Sequence, residues 1–447
     1  MSLQKIFKKK IIFLLLIILI GIAYSLKSFI PDGIKNQISK IFIFKRLEKI
    51  DNKVAYQKKI INNYGSILRD IANGYLLEEE LLVSKRFGKF IKKKFIIEDR
   101  FFLEFKSISS RWNVMESFDD NIIFTYHDGS TVYFKASELD NSKININEIS
   151  TNLSSFIDYK INNENNNVLL GVRDTFLHED GELYVSILQR MEEDCTGIII
   201  VRSKMNLKNM NFEVFYEQPN DCSSRSLRDE NDWKAGGALS ASWNGNIALS
   251  IGDLNTFTDA QENKNLLGKI IEIDSFGKIN RILALGLRNP TSLYLKEKNI
   301  FITVIGPQSG DEINNLNLDD NLPVNFGWPY ATYGKHDHKV DFKYSSEHKL
   351  RGFKEPLFYG TPKNSITPSA LIISDDFFIE SEQMIVATLK ERSLMIFKIV
   401  RNTEGELMNL DLLEQITFDT RIRDLLITGD KMILSMEDQV EIVVLSR

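Results

Sequence analysis

Only two cysteines, Cys195 and Cys222, occur in 447 residues, so no disulfide framework holds this chain together and an apolar core must do so. Proline and glycine are sparse too, with 9 and 24 residues. That scarcity excludes a collagen-like repeat, and 43% apolar against 26% charged residues excludes a wholly disordered chain. The body also lacks positive charge: residues 101–447 carry 35 Lys/Arg against 52 Asp/Glu, whereas residues 1–100 carry 21 against 9. A nucleic-acid-binding body would itself be basic, so nucleic acid is excluded as a partner. A basic front on an acidic body points to a membrane.

Lys5, Lys8, Lys9 and Lys10 precede an uncharged apolar run from Ile11 to Leu26. The run is slightly short for a span, but Lys10 and Lys27 can snorkel, and no A-x-A cleavage pattern follows. Residues 1–30 are therefore expected to be an uncleaved single-pass anchor, with a cleaved signal peptide as the alternative. The flanking lysines place the rest of the chain on the periplasmic or extracellular side of the inner membrane. Beyond it, Ile43, Leu47, Ile50, Val54, Ile61, Tyr64, Leu68, Ile71 and Tyr75 recur at alternating steps of four and three, a seam interrupted only by Gln57. This 3.5-residue period predicts a helical stalk over residues 31–97, either a homo-oligomeric coiled coil or one helix packed on its own domain.

From Phe101 onward long helical periodicity is absent, and Gly/Asn/Asp turns alternate with short β-branched and aromatic runs. One unit, a polar turn followed by a short apolar strand, recurs at 119–125, 179–186, 244–250, 297–303, 382–388 and 429–435. The intervals suit four-stranded blades with loop insertions. The fold class expected is all-β, a six-bladed β-propeller over residues 98–447 behind the transmembrane helix and stalk; a two-sheet sandwich is the competing architecture. The mouth of a propeller's channel is the default ligand site.

Several motifs stand in order: Gly236-Gly237-Ala238-Leu239, Ser250-Ile251-Gly252-Asp253, Gly286-Leu287-Arg288-Asn289-Pro290, Gly306-Pro307-Gln308-Ser309-Gly310-Asp311-Glu312, Asn325-Phe326-Gly327-Trp328-Pro329, Ser365-Ile366-Thr367-Pro368, Lys390-Glu391-Arg392 and Arg421-Ile422-Arg423-Asp424. Arg forks and a Lys point charge suit ligand carboxylates, and a cation such as Arg288 suits an oxygen that gains charge on reduction. Gly and Pro carbonyls beside Asp311 and Glu312 suit a hard cation. From about Gly171 to the C-terminus this series resembles the soluble pyrroloquinoline quinone (PQQ)-dependent aldose sugar dehydrogenases of the glucose/sorbosone dehydrogenase family. The resemblance implies PQQ held by Asn289, Ser365, Lys390, Arg421 and Arg423, with Arg288 on the quinone oxygen. It also implies Ca²⁺ at Gly306 and Pro307, with Asp311 and Glu312 as nearby acids, and a sugar or polyol as substrate.

The departures lie at the substrate end. The family's His-x-Gly-Gly-Arg motif supplies a general base, and Lys234 stands in the place of that His; the Arg is Ala238, and an aromatic near the Thr-Pro segment is Gly360. A lysine serves as a base only where burial and neighbouring cations lower its pKa. None of His127, His178, His336, His338 and His348 replaces the lost base, and His336-x-His338 lacks a third metal ligand nearby. Cys195 and Cys222 flank one outer hairpin and could bond in an exported body, or remain buried thiols. Two functions therefore stand: a PQQ-type oxidoreductase acting on an aldose or other polyol, or a non-catalytic propeller that binds a glycan or a partner protein.

Overall fold

The computed structural model describes residues 74–97, 112–157, 170–192, 195–219, 234–336, 339–360, 365–378, 382–437 and 441–447. Within the unit Ala72–Arg447 the strands form six separate antiparallel-rich sheets. Their innermost strands are Asn113–Phe118, Gly171–Leu177, Gly236–Ala241, Pro290–Lys296, Pro368–Ser374 and Ile422–Thr428, and we number the blades 1 to 6 in that order. Each innermost strand turns into the second strand of its blade at one of the six recurring units. Those turns demand left-handed backbone, at φ of 52° for Asp119, 56° for Glu297 and 55° for Gly429, which explains the polar and glycine content.

The apolar run that follows each turn has a packing cause. Ile247–Ile251, Asn299–Val304 and Gln383–Thr388 are buried at every position, because a blade's second strand is covered on both faces by neighbouring blades. Six apolar clusters result, one for each interface between successive blades, including that between blades 6 and 1. A sandwich would have one core between two sheets. Six cores between six sheets decide for the propeller.

Ring closure differs from the sequence expectation. Leu76–Ser84 and Gly88–Ile96, assigned to the helical stalk ending at residue 97, are antiparallel strands on the outer edge of blade 6, where the second pairs with Glu441–Ser446. The propeller thus begins before residue 98, and Tyr75, read as the last seam residue, forms a β-bridge with Lys143. Glu78–Glu80 face Lys92–Lys94 across the hairpin, with Lys92 Nζ 2.6 Å from Glu80. Phe87 and Phe90 pack against Phe377 and Phe378 of blade 5. Glu414 of blade 5 ties the hairpin turn, accepting from Ser84 Oγ at 2.7 Å, Lys85 N at 2.8 Å and Arg86 N at 3.0 Å.

No helix among the described residues is long and apolar enough to cross a membrane. The Ile11–Leu26 run, the seam from Ile43 to Ile71, Cys222 and His338 lie outside the described residues.

Candidate functional site

Chain direction gathers the singled-out residues on one face. Every innermost strand starts there and every second strand returns to it, so that face carries the loops entering each blade and those joining second to third strands. Trp112, Lys234, Arg288, Ser365 and Arg421 lie on entering loops; Asp253, Gly306, Lys390 and Glu437 lie on the others.

One group centres on a buried carboxyl. Lys234 and Asp253 are 4% and 1% exposed. Lys234 Nζ lies 2.5 Å from Asn255 Oδ1, while Asp253 accepts Asn255 N at 3.0 Å and Trp328 Nε1 at 2.8 Å. Burial pushes the Asp253 carboxyl above its ordinary value, against the opposing charges of Arg288 and Lys234. Arg288, 3% exposed, donates from Nη1 to the carbonyls of Ile305 and Gly306, both at 3.1 Å. Its guanidinium lies 5.8 Å from the centre of the Trp328 ring. Asn289 Oδ1 accepts Gly236 N at 3.2 Å and joins blades 3 and 4. Lys390, expected to hold a cofactor carboxylate, is exposed and makes no ion pair among the described residues.

The four residues expected around a calcium ion are otherwise engaged. Asp311 accepts Gly306 N at 3.1 Å, Ser365 Oγ at 3.0 Å, Ile366 N at 2.8 Å and Thr367 N at 2.9 Å. It staples the Gly306 loop to the strand entering blade 5, and it occupies the Ser365 hydroxyl assigned to cofactor. Gly306 O accepts Arg288, and Pro307 O accepts Gly310 N at 2.9 Å. Glu312 accepts Asn314 Nδ2 at 3.0 Å and lies 3.2 Å from His348. No group of three or more His, Cys, Asp or Glu among the described residues is placed to hold a metal ion. These atoms form a hydrogen-bonded turn rather than a cation cage.

The segment from Gly334 onward buttresses that turn: a Cβ on Gly334 would lie 1.8 Å from the Pro307 carbonyl oxygen, so only glycine allows the approach. His336 and His348 are buried packing elements. His336 stacks on Trp328 at 4.7 Å. His348, 1% exposed, stacks on Tyr333; burial alone would depress its pKa, but the Glu312 contact and the charge of Glu355 outweigh it and raise it.

A second group lies where blades 6, 1 and 2 meet. Glu437, 1% exposed, lies 2.8 Å from Arg423 Nη2 and 3.6 Å from Arg421 Nη1. Arg423 and Arg173 both lie over Trp112, 5.0 and 5.5 Å from its ring centre. Below them, burial pushes Asp174 up to about 8 and Asp424 up to about 6. Burial, with the neighbouring Asp174 and Asp424, raises Glu116 well above the carboxylate range. Sequence reasoning missed Trp112, Arg173 and Glu437; Asp253 and Trp328 stood inside quoted motifs without a role.

Residues 108–444 match the Glucose / Sorbosone dehydrogenase family. The chain belongs to that family. Among curated proteins it resembles the aldose sugar dehydrogenase YliI of Escherichia coli K12, 24% identical over 179 residues. That match takes in 37% of this chain and 47% of the relative, about half its length. The solved apo-form of the soluble E. coli aldose sugar dehydrogenase superposes with a TM-score of 0.59 at 18% identity, over 79% of this chain and 99% of that one. The PQQ-bound aldose sugar dehydrogenase of Streptomyces coelicolor superposes with a TM-score of 0.52 at 13% identity, over 83% and 98%. At such identities these likenesses carry the fold.

Proposed function

We propose that this glucose/sorbosone dehydrogenase family member is a PQQ-dependent oxidoreductase acting on an aldose or other polyol. The observation that carries the reading is the collection of Arg288, Lys390, Arg421 and Arg423 on one propeller face. A ligand with several carboxylates needs such cations to stay ionised away from water. The residues therefore fit PQQ. Toward Ca²⁺, Gly306 O and Pro307 O each already accept a hydrogen bond and the Asp311 carboxylate accepts four, and no step is assigned to that ion.

When bound, PQQ supplies the acceptor for a hydride. Oxidising a secondary or hemiacetal hydroxyl to a carbonyl also releases the hydroxyl proton, so the mouth must hold a base. Lys234 is the group we assign: its amine, when neutral, takes the proton, and Asn255 fixes its orientation. Arg288 is held by two backbone carbonyls with its guanidinium over Trp328, ready to stabilise negative charge on an oxygen. Trp328, anchored on Asp253, walls the site against water.

A second reading has its own observation. Lys234 Nζ is committed to an amide oxygen, the bonding expected of a lysine that remains a donor, and a charged Lys234 would leave a propeller that binds a glycan or partner without turnover. Dye reduction with several aldoses at saturating PQQ, from pH 6 to 9, separates the two. Turnover that rises with pH and is lost in Lys234→Ala supports the oxidoreductase. No turnover by protein that binds PQQ favours the binding propeller.

We also propose that residues 1–30 anchor the chain in the inner membrane with the propeller outside the cytoplasm, and that the seam from Ile43 to Ile71 self-associates. The support is the Lys-flanked apolar run and the heptad spacing. Protease added to spheroplasts should digest the propeller, and a soluble product starting near residue 30 would refute the anchor.

A further inference from the structure

We propose that the outer edge of the closing hairpin is a homodimer contact, in which Leu76–Ser84 pairs antiparallel with the same strand of a second copy; this rests on the reading that the seam from Ile43 to Ile71 self-associates, and adds a second contact to it. Leu76–Ser84 is the last strand of the blade 6 sheet. Blade 1 takes only its start, where Leu76 N donates to Ser142 O at 2.9 Å and Tyr75 bridges Lys143. From Glu78 to Ser84 the outer edge pairs with no described strand. An edge of this kind is a template for another strand unless something blocks it.

Charge is the usual block, and here it is arranged to match instead. Along the chain the segment reads acidic, apolar, basic: Glu78-Glu79-Glu80, Leu81-Leu82-Val83, then Lys85 after Ser84. An antiparallel copy presents the same pattern in reverse. A two-fold axis through Leu82 therefore sets Leu81 against Val83 of the second copy and Glu79 against its Lys85. A contact between identical patches requires this self-complementarity.

The matching side chains are accessible. Leu81 and Val83 are 57% and 63% exposed, and Ile91, the cross-strand partner of Leu81, is 39% exposed. Pairing across the two-fold would continue this apolar face from one copy into the other. Five of the fourteen exposed large hydrophobics among the described residues fall between Tyr75 and Ile91, a concentration that a solvent-facing blade edge does not need. Lys85 is exposed and makes no ion pair among the described residues, while Glu414 holds its backbone N at 2.8 Å and so fixes the turn. Glu79 reaches Lys93 only at 3.8 Å, and Lys93 Nζ already donates to Asp140 O at 2.9 Å.

The seam brings the edges together. Ile71, its last apolar residue before the hairpin, stands five residues ahead of Leu76, and paired helices lie about 8–10 Å apart. A tether this short raises the effective concentration of the second contact to about millimolar, so an edge too weak to dimerise alone becomes occupied.

The test is disulfide trapping in full-length protein held in detergent. In Leu81→Cys/Val83→Cys each new cysteine directly opposes one of the second copy, within disulfide reach. Oxidation should give a cross-linked dimer well above the background that Cys195 and Cys222 produce in wild type. Adding Lys85→Glu should lower the yield about tenfold, because it opposes like charges at both ends, and adding Glu79→Lys as well should restore it. A dimer that does not cross-link, or cross-linking indifferent to Lys85→Glu, leaves the seam standing and overturns the edge contact. Leu47→Asp/Leu68→Asp removes the seam and should reduce trapping severalfold; full trapping in that variant supports the edge contact and refutes the seam. A monomer that does not cross-link overturns both. Slow hydrogen exchange over Glu80–Ser84 in such a monomer would show the chain's own N-terminal segment covering the edge, which equally overturns the proposal.

Discussion

Asp311 is where chemistry inferred from residue type and chemistry observed in the fold diverge most, and its substitution separates them. Its Oδ1 accepts one backbone N–H, from Gly306; its Oδ2 accepts Ser365 Oγ and the N–H groups of Ile366 and Thr367. The side chain is 1% exposed, so water cannot replace these bonds. Asp311→Asn can keep three acceptor contacts through its amide oxygen, without the charge, but turns an NH₂ toward Gly306 N. With each hydrogen bond to a charged group worth about 1.5–3 kcal/mol net, the loss should be about 2–3 kcal/mol. Asp311→Ala strands four donors and should cost about 4 kcal/mol or more. For a domain of this size about 2 °C of Tm accompanies each kcal/mol, so Asn should lower the Tm by about 4–6 °C. The assay is thermal unfolding followed by circular dichroism, with EGTA and with millimolar Ca²⁺. The staple requires the same drop in both buffers. A wild-type Tm that falls in EGTA to the level of Asp311→Asn, with the variant itself indifferent to Ca²⁺, would show that Asp311 is a metal ligand after all.

Three further outcomes are expected. His348 titrates above an ordinary imidazole, so its pair with Glu312 contributes fully below about pH 6.5 and is lost as pH rises through the raised value; the Tm should fall across that window, and His348→Phe should flatten the slope. Asp174 ionises near 8 in the fold against 3.8 ordinarily, so the stability its proton confers is lost as pH climbs between those values. Asp174→Asn, never charged, should exceed wild type in Tm at pH 8.5 by clearly more than at pH 5, and a gain of equal size at both would refute the burial argument. Glu414→Ala frees three donors of the closing hairpin and should cost about 1–2 kcal/mol. Its distinguishing sign is faster hydrogen exchange confined to Leu76–Ile96.

The blade count was legible because the signal sits where packing is most demanding. A second strand such as Ile247–Ile251 must be buried throughout and must follow a left-handed turn, so pattern and turn chemistry coincide six times. The closing hairpin was not legible for the converse reason. Leu76–Ser84 is an edge strand whose charges are matched only across the pair, Glu78–Glu80 against Lys92–Lys94, and the other neighbour of Gly88–Ile96 lies at the far end of the chain in Glu441–Ser446. Read locally, Leu-Leu-Glu-Glu-Glu-Leu-Leu continues a helical seam. Only the ring closure, a contact between termini, makes it a strand.

The site was legible in its cations and illegible in their partners. A Gly-Pro turn followed by Asp311 and Glu312 looks the same in sequence whether its carboxylates face a metal or the N–H groups of Ile366 and Thr367, because those donors come from a segment more than fifty residues away. Glu437 was hidden by the hairpin instead: it meets Arg421 and Arg423 only once the second strand of blade 6 returns it to them. Arg173 is a different kind of omission. Its three-residue repeat with Arg423 is visible in the sequence, but the alignment of blades was anchored on their turns, at the opposite end of the innermost strand. Anchoring on the entry to that strand sets Val172-Arg173-Asp174 against Ile422-Arg423-Asp424. The shared Asp, which staples each of these two blades to its neighbour, then marks the two arginines as equivalent positions at the mouth.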